Sequence, residues 1–278
     1  MAGNPPLTMA HPATEYMFRP NQDVTRFGNR FVVNELGMRS TALPKDGREI
    51  VLVFGDSVVN GGVLTDQSKI ATEVSSNRQI FFANISAGSW GPGNILGYID
   101  TYGFLGAKTA LYVMSSHDLN DQPTCEPLNL GSHPSEAPVS VLFDLFIRYV
   151  PRYAPQAGAE LLQRFTDQSG PKPDCLPSGR SGLDDIMSII ERTRHAGLKT
   201  CLIAHSTIKE IEAGRPTELD VFISTYINKV IPIVRLSDLI ISGESNIRVA
   251  FRDEIHLSDK GQGYLATALS RCRDIATY

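Results

Sequence analysis

Short apolar runs alternate with amphipathic segments along most of the chain. The runs are rich in β-branched side chains and nearly continuous in hydrophobicity, as strands covered on both faces of a sheet tend to be. The predicted strands are Ile50–Phe54, Ile80–Ile85, Thr109–Met114, Thr200–Ala204 and Ile231–Leu236. The predicted helices are Leu183–His195, Leu219–Val230 and Asp259–Arg273. Because helices join parallel strands, this alternation predicts a three-layer α/β/α sandwich around a parallel sheet of about five strands.

Two stretches interrupt this alternation. Residues 1–45 are rich in Pro, Asn and Arg and are predicted to form an irregular N-terminal arm with one short strand at Phe31–Val33. Residues 46–278 form the predicted main domain, in which residues 119–180 are a Pro- and Gly-rich insertion with one amphipathic helix near Val139–Tyr149. Loops of this length are usually functional. The insertion is expected to cap a ligand site or to bind a partner. The alternative is a surface loop without a function.

The composition excludes several classes of protein. The 278 residues carry a formal net charge of -4 and contain no long run of Lys or Arg, which disfavours a nucleic-acid or anionic-membrane binder. No apolar stretch approaches the roughly 20 residues that cross a bilayer, and the first residues lack the pattern of a secretory signal. The chain as written is expected to be soluble and cytoplasmic, or periplasmic or extracellular if a leader is missing. Its oligomeric state stays open.

Four cysteines lie in two kinds of context. Cys201 lies in an apolar, strand-like run and Cys272 in a predicted helix, so both are expected to be buried thiols. Cys125 and Cys175 lie in Pro-rich loops. A disulfide between these two is one alternative, and it would indicate an oxidising compartment. The sequence has no CxxC pair, so we expect no structural zinc site.

Two polar motifs lie where catalytic groups are often found. Gly55-Asp56-Ser57 directly follows the first predicted strand of the sheet, where the hydroxyl would lie at the rim of the sheet and the glycine would permit a tight turn. Near the C-terminus, Asp253-Glu-Ile-His256 precedes the last predicted helix. An imidazole can remove the serine proton near neutral pH, and a carboxylate three residues earlier can hold its other ring nitrogen. Each motif is weak alone, but together they predict a nucleophile, a base and an orienting acid.

These motifs together resemble conserved blocks of the SGNH (GDSL-like) hydrolase family. The first block is matched by Val53-Phe-Gly-Asp-Ser-Val-Val-Asn-Gly61 and the last by Arg252-Asp-Glu-Ile-His-Leu-Ser-Asp-Lys-Gly-Gln262. The resemblance spans roughly residues 49–272. It implies a flavodoxin-like α/β fold, a nucleophilic serine in the first block, and an orienting Asp and a basic His in the last. No metal or organic cofactor is implied.

The resemblance also implies an oxyanion hole made of the serine N–H, a second-block glycine N–H and a third-block Asn side chain. The second block is matched by Asn84-Ile-Ser-Ala-Gly88-Ser-Trp-Gly91, so Gly88 is the expected donor, with Gly91 in reserve. The third block departs from the pattern, because Gly-x-Asn-Asp is replaced by Ser115-Ser-His-Asp118. His117 is therefore expected to donate to the oxyanion or to contact substrate, and a purely structural hydrogen bond is the alternative.

The roles of several other residues are predicted from weaker signals. Asp56, next to the serine, is grouped with the oxyanion and substrate-binding candidates. The segment Asn34-Glu-Leu-Gly-Met-Arg-Ser40 resembles one that precedes the nucleophile block in envelope-associated family members acting on polysaccharides. Its Arg39 is expected to brace the arm, or alternatively to bind an anionic group. His205 is expected to be a capping or partly buried residue, with pocket lining as the alternative. Three histidines are predicted to be surface residues: His11, His133 and His195.

The sequence thus favours hydrolysis of a small carboxylic ester through an acyl-enzyme, with an O-acylated carbohydrate as the expected substrate. The same intermediate could pass its acyl group to a sugar hydroxyl, which would make the protein an O-acetyltransferase. The departure at His117 motivates a third alternative, a catalytically inactive protein that binds a carbohydrate or a partner.

Two further motifs suggest other functions, but they support these functions less well. Ala87-Gly-Ser-Trp-Gly91 mimics the nucleophile elbow of an α/β-hydrolase, with Ser89 as the nucleophile. The segment Gly91-Pro-Gly-Asn-Ile-Leu-Gly97 superficially resembles a dinucleotide-binding loop. Its glycine spacing differs from GxGxxG, and Pro92 removes an amide that a phosphate would need.

Overall fold

A computed structural model describes residues 3–138, 140, 142, 169–175, 179–227 and 229–278. The strands in chain order are β1 (Thr8–His11), β2 (Glu15–Phe18), β3 (Gln22–Arg26), β4 (Asn29–Val33), β5 (Glu49–Gly55), β6 (Ile80–Ser86), β7 (Thr109–Met114), β8 (Lys199–Ala204) and β9 (Ile233–Arg235). The last five form one parallel sheet in the order β6-β5-β7-β8-β9. The predicted parallel sheet is confirmed, and its predicted strand ends differ from the observed ones by at most two residues.

The helices are α1 (Ser57–Asn60), α2 (Ala71–Ser75), α3 (Pro92–Tyr102), α4 (Gly182–His195), α5 (Ile208–Ala213), α6 (Glu218–Phe222), α7 (Leu236–Gly243) and α8 (Asp259–Ile275). The predicted helix Leu219–Val230 is α-helical only to Phe222 and continues as a π-helical turn, Ile223–Ile227. The helix predicted near Val139–Tyr149 lies outside the described residues. Within the described part of the chain, no helix is both long and apolar enough to span a bilayer.

The sheet is covered by helices on both faces. Alternate residues of β5 enter two separate apolar clusters, because successive side chains of a strand point to opposite faces. Leu52 and Phe54 pack in one cluster with residues of α3 and α4, whereas Val51 and Val53 pack in the other with residues of α2, α7 and α8. This arrangement is the expected three-layer α/β/α sandwich.

The N-terminal arm is more regular than predicted, because it forms two antiparallel hairpins. In the second hairpin, Phe27 and Gly28 both adopt positive φ, of 52° and 85°, which matches the right-handed twist of the flanking strands. Apolar side chains of the arm, among them Met17, Phe18 and Phe31, lie in the same cluster as α3 and α4. The arm therefore contributes to the core and is not an irregular tail.

Arg39 braces the chain immediately after α1. Its guanidinium is fully buried, stacks over Phe31 at 4.1 Å, and donates to the backbone carbonyls of Gly62 at 2.7 Å and Thr65 at 2.6 Å. A further bond goes to the carbonyl of Asn60. Burial lowers the pKa of Arg39 to about 9. A guanidinium enclosed in this way cannot reach a ligand, so the alternative of anion binding by Arg39 is wrong.

All four cysteines form disulfides. The expectation of buried thiols at Cys201 and Cys272 is wrong, because these two residues join β8 to α8 across a sequence separation of 71. Both are buried as expected, but packing of the last helix on the sheet brings them together. Cys125 and Cys175 form the disulfide considered as one alternative, and it ties together the two described ends of the insertion.

Two of the three histidines predicted at the surface lie elsewhere. His11 is buried, and its Nδ1 lies 3.0 Å from the hydroxyl of Thr14 within the first hairpin. His133 is half-buried and packs edge-on against the ring of Tyr16 at 4.2 Å. Burial lowers the pKa of both imidazoles. His195, at the end of α4, is exposed as predicted.

Candidate active site

Ser57 is the first residue of α1, two residues beyond the end of β5. The turn requires a glycine at position 55, though for a different reason from the one the sequence suggested. Gly55 has no positive φ, but a Cβ there would lie 2.4 Å from Cγ2 of Val59. The missing side chain lets α1 fold back against its own strand. Asp56 caps the helix by accepting from the N–H of Val58 at 2.8 Å, which fixes the direction in which Ser57 leaves the sheet.

Two buried amides hold the short helix α1 in place. The amide of Asn84, on β6, donates to the carbonyl of Val59 at 3.0 Å. The amide of Gln262, on α8, donates to the carbonyl of Val58 at 2.9 Å, and its oxygen accepts from the N–H of Ala71 at 2.9 Å. Because four residues make too few internal hydrogen bonds to be stable alone, these contacts fix the position of Ser57. The bond from Gln262 links α1 to α8, the helix that follows His256.

The loop before α8 brings His256 to Ser57. Asp253 accepts from the backbone N–H of His256 at 2.8 Å, and its two carboxylate oxygens lie 3.0 and 2.8 Å from Nδ1 of the same residue. Nε2 of His256 lies 2.9 Å from Oγ of Ser57. The structure therefore brings together all three residues that the sequence predicted as catalytic, although 199 positions separate the serine from the histidine.

The hydrogen bonds determine which ring nitrogen of His256 carries the proton in its neutral form. The carboxylate of Asp253 can only accept, so Nδ1 must donate to it, and Nε2 then presents its lone pair to the hydroxyl of Ser57. Partial burial raises the pKa of Asp253, but the bonds it accepts from the backbone and ring of His256 outweigh this and hold the pKa below its ordinary value. Asp253 is therefore ionised at neutral pH.

His205 supports this loop from the end of β8. Its Nε2 donates to the carbonyl of Ile255 at 2.9 Å, and its backbone N–H donates to the carbonyl of Met114 at 2.8 Å. The ring is buried against Phe251, and burial lowers the pKa of His205. The interpretation as a buried histidine holds, and the bond to Ile255 lies inside the Asp253–His256 segment.

We expect His205→Phe to lower kcat by up to about tenfold, because losing one buried hydrogen bond of about 1 kcal/mol loosens the loop that carries His256. His205→Gln, whose amide can donate near the former Nε2, is expected to recover much of kcat. His195→Phe, at an exposed histidine, is the control. Steady-state kinetics with the best available ester would measure kcat and KM for each variant. An unchanged kcat in His205→Phe would contradict the positioning role.

Gly88 lies in the loop that follows β6, and the first hairpin holds this loop. The hydroxyl of Tyr16 donates to the carbonyl of Gly88, and the indole N–H of Trp90 donates to the carbonyl of Tyr16 at 3.1 Å. Gly91 cannot serve as the reserve oxyanion donor, because its N–H already donates to the side chain of Asn94 at 2.8 Å. Gly88 therefore stays the candidate in this loop.

His117 follows β7, on the other side of β5 from Gly88. Its Nε2 lies 3.3 Å from Oδ2 of Asp56 and 3.7 Å from Oδ1 of Asp118. Its Nδ1 lies 2.9 Å from the hydroxyl of Ser115. The hydrogen bond to Asp56 and the nearby negative charges outweigh burial and raise the pKa of His117 to about 9. Burial raises the pKa of Asp118.

A cavity of about 700 Å³ opens beside His117. All the described residues that line it are polar: Ser116, His117, Asn120, Asp121, Glu210 and Glu218. Asn120 and Asp121 belong to the start of the predicted insertion, so its first residues line this cavity. The side chains of the wall offer both hydrogen-bond donors and acceptors.

The ligand atoms of Asp56, His117 and Asp118 lie within 4.8 Å of one another, a spacing that could accommodate a cation. A hydrogen bond from Nε2 of His117 to the carboxylate of Asp56 at 3.3 Å accounts for the same spacing without an ion. We assign no metal to the group.

Comparisons with solved structures found similar chains. One is a member of the lipolytic G-D-S-L family from Veillonella parvula, with 12% identity, 80% of this chain and 97% of that chain covered, and a TM-score of 0.44. Another is an alpha/beta hydrolase enzyme from the metagenome of Lake Arreo, with 11% identity, 84% and 97% covered, and a TM-score of 0.46. A GDSL-like lipase from Bacteroides thetaiotaomicron has 11% identity, 84% and 90% covered, and a TM-score of 0.42.

No protein-family model matches the sequence, and no curated protein matches it. The function proposed below therefore depends on the geometry of the site.

The structure leaves no support for the two competing motifs. Ser89 is exposed and adopts a positive φ of 61°, as an elbow residue would, but His256 bonds to Ser57 instead. The segment that resembles a dinucleotide loop begins α3, where Pro92 occupies the first turn.

Several residues of the site were missed from the sequence. Gln262 is the final residue of the last block, so its position there could have indicated a role. Asp118 directly follows His117, and that position was its signal. Tyr16 gave no signal, because its partner Gly88 lies 72 positions away and the contact depends on the first hairpin.

Proposed function

We propose that this protein hydrolyses carboxylic esters through an acyl-enzyme on Ser57. The observation that carries the proposal is the continuous chain of hydrogen bonds from Asp253 to His256 to Ser57. Such a chain lets the imidazole take the hydroxyl proton as the oxygen attacks, while the carboxylate keeps the tautomer and stabilises the imidazolium that forms.

The reaction then follows from the positions of these groups. Oγ of Ser57 adds to the ester carbonyl as its proton passes to Nε2 of His256. The tetrahedral oxyanion accepts from the N–H of Ser57, which has no acceptor within its own helix, and from the N–H of Gly88, with His117 on the opposite side. His256 returns the proton to the departing alcohol, the acyl-enzyme remains, and a water molecule activated by the same imidazole releases the acid.

The cavity supports a polar alcohol as the substrate's other half. Sites for lipid chains are lined by apolar side chains, whereas the described wall here consists of polar residues. The carboxylates of Asp121 and Glu218 can accept hydrogen bonds from the hydroxyl groups of a sugar. We therefore propose an O-acylated carbohydrate with a short acyl group, such as acetate, as the substrate class.

A panel of esters tests this proposal. Nitrophenyl esters of rising chain length and acetylated sugars would be compared by kcat/KM. We expect kcat/KM for acetyl esters to exceed that for octanoyl esters by about tenfold or more, because even one extra methylene can change kcat/KM by about tenfold. A fluorophosphonate probe is expected to label Ser57 in folded protein. Absence of labelling and of turnover would favour the binding-protein alternative. Acylated sugar formed when a free sugar is added would instead favour acyl transfer.

A further inference from the structure

Two aspartates and a serine hydroxyl surround the ring of His117. Asp118 Oδ2 accepts from the backbone N–H of Ser115 at 2.7 Å and from its hydroxyl at 3.1 Å. Ser115 has a single hydroxyl proton, which can point either to Asp118 or to Nδ1 of His117 at 2.9 Å. When it points to Asp118, the hydroxyl oxygen accepts from Nδ1 of His117. On its other side, Nε2 faces a carboxylate oxygen of Asp56 at 3.3 Å and must also donate.

Only a ring with a proton on both nitrogens lets the Ser115 hydroxyl donate to Asp118 while Nε2 donates to Asp56. The alternative is a neutral ring whose Nδ1 accepts from the Ser115 hydroxyl, which leaves Asp118 without that hydrogen bond. It is disfavoured because a neutral ring would also leave the buried carboxylates of Asp56 and Asp118 without a neighbouring positive charge. The two aspartates also attract the proton to the ring that lies between them.

The position of His117 beside the serine indicates what a positive charge on its ring would do. The strand that leads to Ser57 lies between β6 and β7 in the sheet, so the Gly88 loop and His117 flank the serine from opposite sides. Asp56 precedes Ser57 directly, and both Asp56 and Asp118 are buried. Two buried carboxylates beside the serine would oppose negative charge on the substrate oxygen, unless a cation accompanies them.

We propose that His117 is a permanent imidazolium at neutral pH that stabilises the oxyanion electrostatically, and that Asp56 and Asp118 are the positioning residues that keep it charged. The proposal rests on the proposed esterase function and adds to it a charged donor where the resemblance implies a neutral amide. It also explains how a site whose cavity wall is acidic can still favour an anionic intermediate.

Other charged groups face the same ring. Asp121, at the start of the insertion, and Glu210, on α5, line the same cavity as His117. Burial lowers the pKa of the nearby His205. The negative charges of Asp56, Asp118 and Asp121 each favour the protonated ring of His117. Deprotonation is expected only in alkaline solution, near the pKa of about 9.

The test compares three proteins across pH 6 to 10: wild type, His117→Gln and Asp118→Asn. The glutamine keeps a donor near Nε2 but has no charge, so kcat is expected to fall by about 100-fold, with a smaller change in KM. In wild type, kcat should decline as His117 loses its proton, and this decline should be absent from His117→Gln. In Asp118→Asn one neighbouring charge is lost, so the decline should move down by about one pH unit.

NMR titration of the His117 ring, assigned by the signal missing from His117→Gln, measures the charge without reference to catalysis. A midpoint near 9 is expected in wild type, and a midpoint at or below the ordinary value of about 6.5 would overturn the proposal even if the esterase function stands. An unchanged kcat in His117→Gln would also overturn it. A high midpoint without any ester turnover would instead contradict the proposed function, and the catalytic role of the charge with it.

Discussion

Replacing Ser57 with alanine is expected to lower ester turnover by at least about 10³-fold in kcat, because the acyl-enzyme can no longer form. Removing the nucleophile of a well-studied serine protease costs about 10⁶-fold, and the residual rate comes from the oxyanion hole and substrate binding. A loss of 10³-fold corresponds to about 4 kcal/mol of transition-state stabilisation. The change should be measured as kcat on the best acetyl ester, with KM nearly unaltered.

The matched control is Ser89→Ala. Ser89 is exposed, lies at the same edge of the sheet and has the backbone conformation of a nucleophile elbow, so it is the serine that a competing mechanism would use. We expect this variant to keep near-wild-type turnover. Circular dichroism and thermal melting should show both variants folded. If Ser57→Ala keeps its activity and Ser89→Ala loses it, the proposed mechanism is wrong.

The largest effect on stability is expected from the double variant Cys201→Ala/Cys272→Ala. The disulfide closes a loop with a sequence separation of 71, and the chain-entropy relation assigns about 4 kcal/mol to a loop of that size. For a protein of this length that corresponds to a melting temperature lower by about 7 °C. Calorimetry under oxidising conditions would measure the difference from wild type.

Cys125→Ala/Cys175→Ala provides the comparison. This disulfide joins two loops, neither of which belongs to the central sheet, so its loss can be absorbed by local opening and should lower the melting temperature less. Mass spectrometry before and after reduction would establish that both bonds are present in wild type. A Cys201→Ala/Cys272→Ala variant that melts with the wild type would contradict a stabilising role for the β8–α8 bond.

The central sheet could be predicted because strands buried on both faces leave an unmistakable pattern. The strand predicted at Thr109–Met114 matches β7 at both ends, and the other four needed only small changes at their ends. Apart from the strand predicted at Phe31–Val33, which lies within β4, the two hairpins of the arm were missed for the same reason. Each of their strands has only four or five residues, with polar residues among them, and a strand covered on one face lacks a continuous apolar run.

The site was predictable where its chemistry is local in sequence. Asp253 and His256 lie three residues apart, and Ser57 directly follows a strand end, so residue type and position sufficed. The pairing of Cys201 with Cys272 and the support of Gly88 by Tyr16 depend on which elements pack together, and that information is spread over the whole chain. The proposed charge on His117 depends on how Asp56, Ser115 and Asp118 surround its ring, and no sequence pattern encodes that arrangement.

The contact between Gln262 and α1 has a consequence for protein synthesis. The nucleophile is synthesised 199 residues before its base, and Gln262, whose amide anchors the nucleophile's helix, follows its partner Val58 by 204 residues. A nascent chain interrupted before residue 256 would carry the serine without a proton acceptor. Under the proposed mechanism, activity therefore begins only after synthesis has passed Gln262, and translation products truncated before His256 are inert towards esters.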